Sequence, residues 1–515
     1  MELVLAWVAR IALFACGALA VREVWRWVRR ARAERRELWA RRIALGMAML
    51  GVAYLLGHAW LLLNRDAIEQ GRMWYVRWGD PRLAEQRRAE VRGWILDCTG
   101  RDGAALARYG EVDEGVRRVY PLGEATINLI GDPDGVRDFT VERLFASRLR
   151  EPANLSERGR LHPAGRDLRL TLCTDLTGQA WEQLRAARRP GAVVVQEVET
   201  GAVLAYAASG GSDDPPLATR TYAPPGSVFK LALAGLWWEH GLPDGPIACP
   251  AEIPVGGRTI ANYGRRAHPP VDGPDGMLVI SCNTAAVSMA MEMRTRLGED
   301  AFADFYRRLG MEIYEGDPPG GADADFWTTG SDAWARRRGP ARSRIRIAPT
   351  VDAFSWALMG IGQGPVDVTV MQVSRMAQAI GNDGVMRTAT LEWDLVDDTS
   401  AERVMRTETA LRLQRAMRGV VERGTAAGVR GRLAGTGWAL GGKTGTAQRA
   451  GLADDGWFSG LVFDAAGQAR YTVTVYLEGG GPGGAAPARI AAEMAARLAA
   501  EVPSTRRADP AEEEA

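Results

Sequence analysis

The strand signatures of this chain come in two distant groups. Residues 192–198 and 202–207 are apolar runs joined at Thr200-Gly201, which reads as a tight hairpin. Residues 438–448, 456–463 and 471–477 form a second group near the other end. Between the groups, residues 242–435 carry mostly helical patterns broken by long loops. The simplest closure is an α+β fold with one five-stranded antiparallel sheet and helices on both faces. A helical lobe is then inserted between the second and third strands, and the cleft between lobe and sheet edge is the natural place for chemistry.

The flanking segments fill in around this frame. Residues 177–187 read as a helix, 227–240 as a buried helix closed by Gly241, and 490–500 as the last helix. Upstream, residues 91–100 run as a strand into a turn and 167–173 alternate as a strand. The charged stretch 148–166 reads as an exposed connection. Residues 315–348, rich in Gly, Pro, Asp and Arg, read as an insertion loop, whose Arg336–Arg346 run is read as solvated, with contact to an anionic surface as the alternative. The acidic tail after Val502 reads as disordered.

The chain opens on two apolar stretches, residues 3–21, interrupted by Arg10, and the uncharged residues 43–63. Each is near the length that crosses a bilayer core. Residues 22–42 between them hold nine arginines and three glutamates, which places that loop in the cytoplasm and everything after Leu63 outside it. Two other arrangements stay open. Cleavage at Ala18-Leu19-Ala20 would make a signal peptide, but the n-region Met1-Glu2 is not basic. Alternatively the first stretch only lies on the membrane, which still leaves the large domain outside.

At 515 residues, 46% apolar and 25% charged, the chain has the length and composition of two or three folded domains. A net charge of +1 gives no footprint for nucleic acid. Five cysteines without a Cys-x-x-Cys offer neither a dense disulfide scaffold nor a zinc pattern. His58, His162, His240 and His268 belong to no motif and are read as surface or satisfied core positions.

The basic residues are the sharper signal. Of 64, 62 are arginine, and the two lysines are Lys230 and Lys443. Arginine keeps its proton in a protein, whereas lysine can lose it and act as a base. Ser227 and Lys230 are three residues apart, so on a helix they share a face. A serine hydroxyl is a poor nucleophile until a base takes its proton. Lys230 can be that base if burial and a neighbouring cation, Lys443, lower its pKa. A helix N-terminus at Ser227 turns backbone N–H groups and the positive dipole end toward the reacting centre.

Ser227-Val228-Phe229-Lys230, Ser281-Cys282-Asn283 and Lys443-Thr444-Gly445 together make, in order, the Ser-x-x-Lys, Ser-x-Asn, Lys-Thr-Gly set. From about Val91 to Leu477 the chain resembles a class B (monofunctional) penicillin-binding protein. Arg92-Gly93-Trp94-Ile95-Leu96-Asp97 looks like the start of that family's pedestal. Ile361-Gly362-Gln363-Gly364, Asn382-Asp383-Gly384 and Trp457-Phe458-Ser459-Gly460 are also similar to it.

The resemblance implies a serine β-lactamase/transpeptidase-like fold and a peptidoglycan D,D-transpeptidase. Ser227 would attack a D-Ala-D-Ala stem peptide to give an acyl-enzyme, with Lys230 as base. Ser281 and Asn283 would relay the proton and hold the peptide amide. Lys443, Thr444 and Thr446 would bind the terminal carboxylate, with Gly445 on the same substrate-binding strand. The backbone N–H groups of Ser227 and Thr446 would form the oxyanion hole. The resemblance also implies β-lactams as covalent ligands, no cofactor, no metal, and a polytopic glycan polymerase as partner. It puts the protein in the bacterial inner membrane with the catalytic domain periplasmic. With the apolar stretches read above, which give two membrane spans where the family usually has one, the expected organisation is two transmembrane helices over 1–63, a stalk over 64–90, a pedestal over 91–175 that is short for the family, a transpeptidase domain over 176–502 and a tail over 503–515.

Several features depart from the family pattern. Cys98 stands where the family usually has a basic residue. Cys98 and Cys173 both fall on candidate pedestal strands and are candidates for a disulfide. Cys282 reads as structural, because Ser281 and Asn283 claim the cleft. Two functions compete with transpeptidation. One is a D,D-carboxypeptidase or β-lactamase on the same scaffold, against which stands the lack of a Glu-x-x-x-Asn between Ser281 and Lys443. The other is a non-catalytic scaffold of the cell-wall machinery, against which stand the intact motifs.

Overall fold

The structure is a computed structural model. It describes residues 92–101, 104–112, 115–131, 140–150, 166–209, 218, 222–315, 343–449 and 451–500, with isolated positions between 22 and 56. The chain divides into two compact units, Met1–Arg87 and Arg88–Ala515. The two apolar stretches lie almost wholly outside the described residues, and the stalk and acidic tail wholly so. Among the described residues no helix is long and apolar enough to cross a membrane.

The five expected strands form one antiparallel sheet. β1 (Gly191–Glu197), β2 (Val203–Ala208), β3 (Ala439–Ala447), β4 (Asp455–Phe463) and β5 (Ala469–Leu477) stand in the order β3-β4-β5-β1-β2. The long insertion therefore leaves from the strand at one edge, β2, and returns to the strand at the other, β3. In chain order the main helices are α1 (Thr174–Ala187), α2 (Lys230–Glu239), α3 (Gly273–Ile280), α4 (Asn283–Arg308), α5 (Val370–Gly381), α6 (Thr407–Glu422) and α7 (Ala486–Ala500). Helices α2 to α6 make the lobe.

Alternation along the strands separates the two helical layers. Val193 and Val195 of β1 join Leu176 and Leu184 of α1 and Ile490 and Met494 of α7 in one buried cluster. Ala192 and Val194 face the other way, into a cluster with Leu231, Leu233, Ala377 and Met417 of the lobe. Burying each valine fully stabilises the fold by roughly 1.5–3 kcal/mol. A strand covered on both faces reads as an unbroken apolar run, which is why these strands stand out in the sequence. Helix α2 is buried all round: every residue from Lys230 to Trp238 is out of solvent.

The smaller elements depart from expectation. Among the described residues, the region 242–435 contains four small sheets built from strands of two to five residues. Such strands are too short to show a period. One of them, Arg344–Arg346, pairs with Glu312–Tyr314 and Val366–Asp367, so the last part of the expected loop is sheet. Arg344 Nε lies 3.1 Å from the Asp367 carboxylate, and this partner displaces the solvated reading of that arginine. Residues 316–342 of the same loop lie outside the described residues. The strand expected over 167–173 is reduced to Leu168–Arg169, and α1 starts at Thr174 rather than 177.

Before the main sheet stands a four-stranded one, ordered Gly115–Val119, Ala105–Val112, Ile95–Leu96, Leu168–Arg169. The expected Cys98–Cys173 disulfide is present and joins the turn after Ile95–Leu96 to the start of α1. Beside this sheet the fully buried Glu142 carboxylate accepts from Arg92 at 2.9 Å, Arg118 at 2.6 Å and the Tyr120 hydroxyl at 3.0 Å. Those partners are what keep a carboxylate tolerable in a core. Arg148, expected in an exposed connection, is instead paired with Glu392 at 3.1 Å and Asp394 at 2.7 Å.

Candidate active site

Main chain on two sides seats Ser227 against the sheet edge. Gly226 has φ +53, and a Cβ there would stand 2.5 Å from the Thr446 carbonyl oxygen of β3. On its other side Gly362, φ +70, is so close that a Cβ would stand 2.0 Å from Gly226 O, and Gly226 N donates to Gly362 O at 2.9 Å. Glycine alone fits both positions. Ser227 then sits in a 3₁₀ turn, Gly226–Phe229, and α2 begins at Lys230. The helix expected to start at Ser227 is thus preceded by a tighter turn, a common way to open a helix. In a 3₁₀ turn residues three apart eclipse, which brings Ser227 and Lys230 into line.

The Ser281-Cys282-Asn283 motif is the joint between α3 and α4. Ser281 caps α3 in the left-handed conformation (φ 60, ψ 38), at a cost of about 1–3 kcal/mol for a residue with a Cβ. Lys230 Nζ donates to Ser281 O at 2.8 Å and Asn283 Oδ1 at 2.8 Å, and lies 3.4 Å from Ser281 Oγ. Lys443 Nζ donates to that same Ser281 Oγ at 2.8 Å and to Thr444 O at 2.9 Å. Ser281 therefore stands between the chain's two lysines.

Thr444 and Thr446 point to the opposite face of β3 from Lys443. With Ser227, Ser281, Asn283 and Thr425 they line a cavity of about 940 Å³. Thr444 Oγ1 and Thr425 Oγ1 are 2.6 Å apart. Gly445 lets β3 approach the nucleophile turn, since a Cβ there would stand 2.9 Å from Pro225 O. All the site residues expected from sequence, Ser227, Lys230, Ser281, Asn283 and Lys443 to Thr446, converge here.

The electrostatics follow from burial. Both lysines have zero exposure, and neither amine has a carboxylate among its hydrogen-bond partners. Burial first, and then the neighbouring Lys443, push Lys230 well below the ordinary lysine pKa. Burial brings Lys443 down to about 7. In its neutral form the Lys230 amine has two N–H bonds. Ser281 O and Asn283 Oδ1 take both, which leaves its lone pair to receive a proton. Lys443 changes charge near neutrality, so it is a weaker cation than a surface lysine.

Sequence motifs do not reach everything that shapes the site. Thr425 comes from the loop after α6. Cys282 is structural as expected, but its disulfide to Cys249 carries no spacing signature. Asn262, in the turn after Arg258–Ala261, hydrogen-bonds to the backbone of Asn283 and Thr284.

Comparison with known proteins places this geometry. The model of the penicillin binding protein transpeptidase domain matches residues 191–499. Penicillin-binding protein PbpB of Mycobacterium tuberculosis is 26% identical over 355 residues, covering 60% of this chain and 47% of the relative. Peptidoglycan D,D-transpeptidase PbpA of Mycolicibacterium smegmatis is 26% identical over 302 residues, covering 52% of this chain and 55% of the relative. The chain spans about half the length of these curated relatives. The ceftriaxone acyl-enzyme complex of penicillin-binding protein A from M. tuberculosis has a similar fold, with a TM-score of 0.63 at 21% identity over 81% of this chain and 99% of that one.

Proposed function

Because the chain belongs to the penicillin-binding protein transpeptidase family, we propose that it is a class B peptidoglycan D,D-transpeptidase working through a Ser227 acyl-enzyme. The observation that carries this is the pair of fully buried lysines sharing Ser281 beneath a cavity lined by Ser227.

In the proposed reaction Ser227 Oγ adds to the carbonyl carbon of the penultimate D-Ala, and its proton passes to the Lys230 amine. Backbone N–H groups of Ser227 and Thr446 hold the oxyanion. Collapse breaks the C–N bond to the terminal D-Ala, whose nitrogen takes a proton through Ser281. The departing carboxylate lies against Thr444 and Thr446, with the Lys443 charge acting from beside Ser281 Oγ, and Asn283 holds the peptide amide. An amine of a second stem peptide then adds to the Ser227 ester and gives up a proton to Lys230; the ester C–O bond breaks, Lys230 returns the proton to Ser227 Oγ, and the cross-linked product leaves. A β-lactam meets the same serine. Its ring C–N bond opens, but the amine stays attached, so the ester persists. The ceftriaxone acyl-enzyme of the mycobacterial relative supports that ligand class.

The same proposal takes the four-stranded sheet before α1 as the pedestal and residues 3–21 and 43–63 as membrane spans. The arginine-rich loop between the spans supports an inner-membrane protein with its catalytic unit in the periplasm. The partner is a polytopic glycan polymerase. The test is labelling by a fluorescent penicillin. The wild type should label and Ser227→Ala should not; equal labelling of both, or of neither, overturns the proposal. Sustained nitrocefin turnover by the wild type would make the enzyme a hydrolase instead.

A further inference from the structure

The second motif is braced by a segment that belongs to none of the three motifs. Helix α4 begins at Asn283, and its N-cap residue is Cys282, not one of the oxygen-bearing residues that cap helices well. Its sulfur, bonded to Cys249, accepts from Ala285 N at 3.3 Å. The two N–H groups before that one, of Asn283 and Thr284, are satisfied from elsewhere. Asn262 Oδ1 accepts from Asn283 N at 2.8 Å and Thr284 N at 3.1 Å. Asn262 Nδ2 donates to Pro250 O at 2.8 Å and Arg266 O at 2.9 Å. Asn262 is 5% exposed, so this amide is a buried cap supplied in trans.

The brace also fixes the orientation of Asn283. The neighbouring Ala261 O accepts from Asn283 Nδ2 at 2.9 Å. With its nitrogen held there, Asn283 presents Oδ1 to Lys230 Nζ. The Cys249–Cys282 disulfide ties the strand that precedes this segment to the middle residue of the motif. Two independent links, one covalent and one through an amide, thus converge on the tripeptide that orients the base.

We propose that Asn262 is a positioning residue for acylation, acting through Asn283 on Lys230, and that the Cys249–Cys282 disulfide holds the segment carrying it in register, so that reduction of that disulfide slows acylation. The proposal rests on the acyl-enzyme reading of Ser227 and Lys230. Reduction consumes a dithiol: it gives two electrons and two protons to Cys249 and Cys282 and becomes a disulfide itself.

The experiment measures the acylation rate constant of the detergent-solubilised full chain with a fluorescent penicillin across pH, alongside a thermal melt of each variant. Absence of acylation in the wild type would sink the acyl-enzyme reading itself, and is thereby distinguishable from failure of the brace. With an active wild type, Asn262→Ala should slow acylation about tenfold. Its acid limb should also move to lower pH, because the Asn283 oxygen that favours the charged form of Lys230 is no longer held. Lys443 is the charged group facing Lys230, and it is unchanged in this variant. Asn262→Asp keeps the oxygen that caps α4 and should recover part of the rate. Cys249→Ser should be slowed, and so should the wild type after dithiothreitol, with the new thiols at Cys249 and Cys282 mapped by mass spectrometry apart from those of Cys98 and Cys173. Asn262→Ala that acylates at the wild-type rate, or loses rate only with its folded fraction and keeps the wild-type acid limb, overturns the positioning role. An unchanged rate in the reduced, folded wild type overturns the role of the disulfide, and that arm stands even if Asn262→Ala does not fold.

Discussion

The two walls of the cleft are built in different ways. β3 is locked to β4 over its whole length, from Ala439 opposite Phe463 to Ala447 opposite Asp455. Lys443, Thr444 and Thr446 are therefore placed by main-chain hydrogen bonds that do not depend on their side chains. The facing wall, Ser281-Cys282-Asn283, is a break between α3 and α4, placed by a left-handed serine, a disulfide and the Asn262 amide. Main-chain placement tolerates substitution, whereas placement by side chains does not. The difference teaches where the site should be brittle: on the helical wall, with the strand wall more forgiving.

The largest loss is expected on the helical side, at Lys230→Arg. Arginine cannot give up its proton, so the proposed base is gone, and acylation should fall about a thousandfold. A rate within a few-fold of wild type in fluorescent-penicillin labelling would sink the assignment of Lys230 as base. Asn283→Ala comes next. It leaves a fully buried amine without one of its acceptors, at about 2 kcal/mol, or roughly thirtyfold in rate.

Lys443→Arg tests the strand wall and should lose less, on the order of tenfold, because arginine keeps a cation on a strand held by the ladder. It should also change the pH profile. Lys443, lowered to about 7 by burial, is charged below that pH and neutral above it. Its attraction for a substrate carboxylate is thus present on the acid side and lost as pH rises. The wild-type kcat/KM, which reports the free enzyme, should therefore fall through an alkaline limb near pH 7. Arginine stays charged, so Lys443→Arg should lack that limb. If it keeps the limb, Lys443 is not the carboxylate's partner. If it loses more activity than Asn283→Ala, the contrast between the walls is wrong.

The strand wall was the legible one. β1 opens on an apolar run, β4 and β5 are long and rich in aromatic and β-branched residues, and β3 is marked by its Lys-Thr-Gly. The lysines were legible for a chemical reason: arginine serves wherever charge alone is needed, and Lys230 lies in a helix too apolar to expose it. The small sheets of the lobe were not legible, because strands of two to five residues have no period to detect. Asn262 was invisible for another reason. Its partners, Asn283 and Thr284, are 21 and 22 positions away, and the bonds go to their backbone, so no side-chain pattern marks them.

The two disulfides give the smallest expected effect on activity and a sharp control on the comparison. Cys98–Cys173 closes a loop with a sequence separation of 75, and removing it releases about 4 kcal/mol of constraint on the unfolded chain in the loop-entropy account. It touches neither wall. Other links keep the four-stranded sheet on the catalytic unit in its absence. Thr171 Oγ1 donates to Val203 O at 2.7 Å, the Arg169 guanidinium lies 3.5 Å from the centre of the Trp393 ring, and Arg148 pairs with Glu392. The double variant Cys98→Ser/Cys173→Ser should therefore melt several degrees lower. At temperatures where it is folded, it should acylate at the wild-type rate. Cys249→Ser should do the opposite in proportion, costing rate even where the protein is folded. A rate defect in the first pair would mean that the small sheet helps to set the geometry of the cleft. Brittleness would then not be confined to the wall that Asn262 braces.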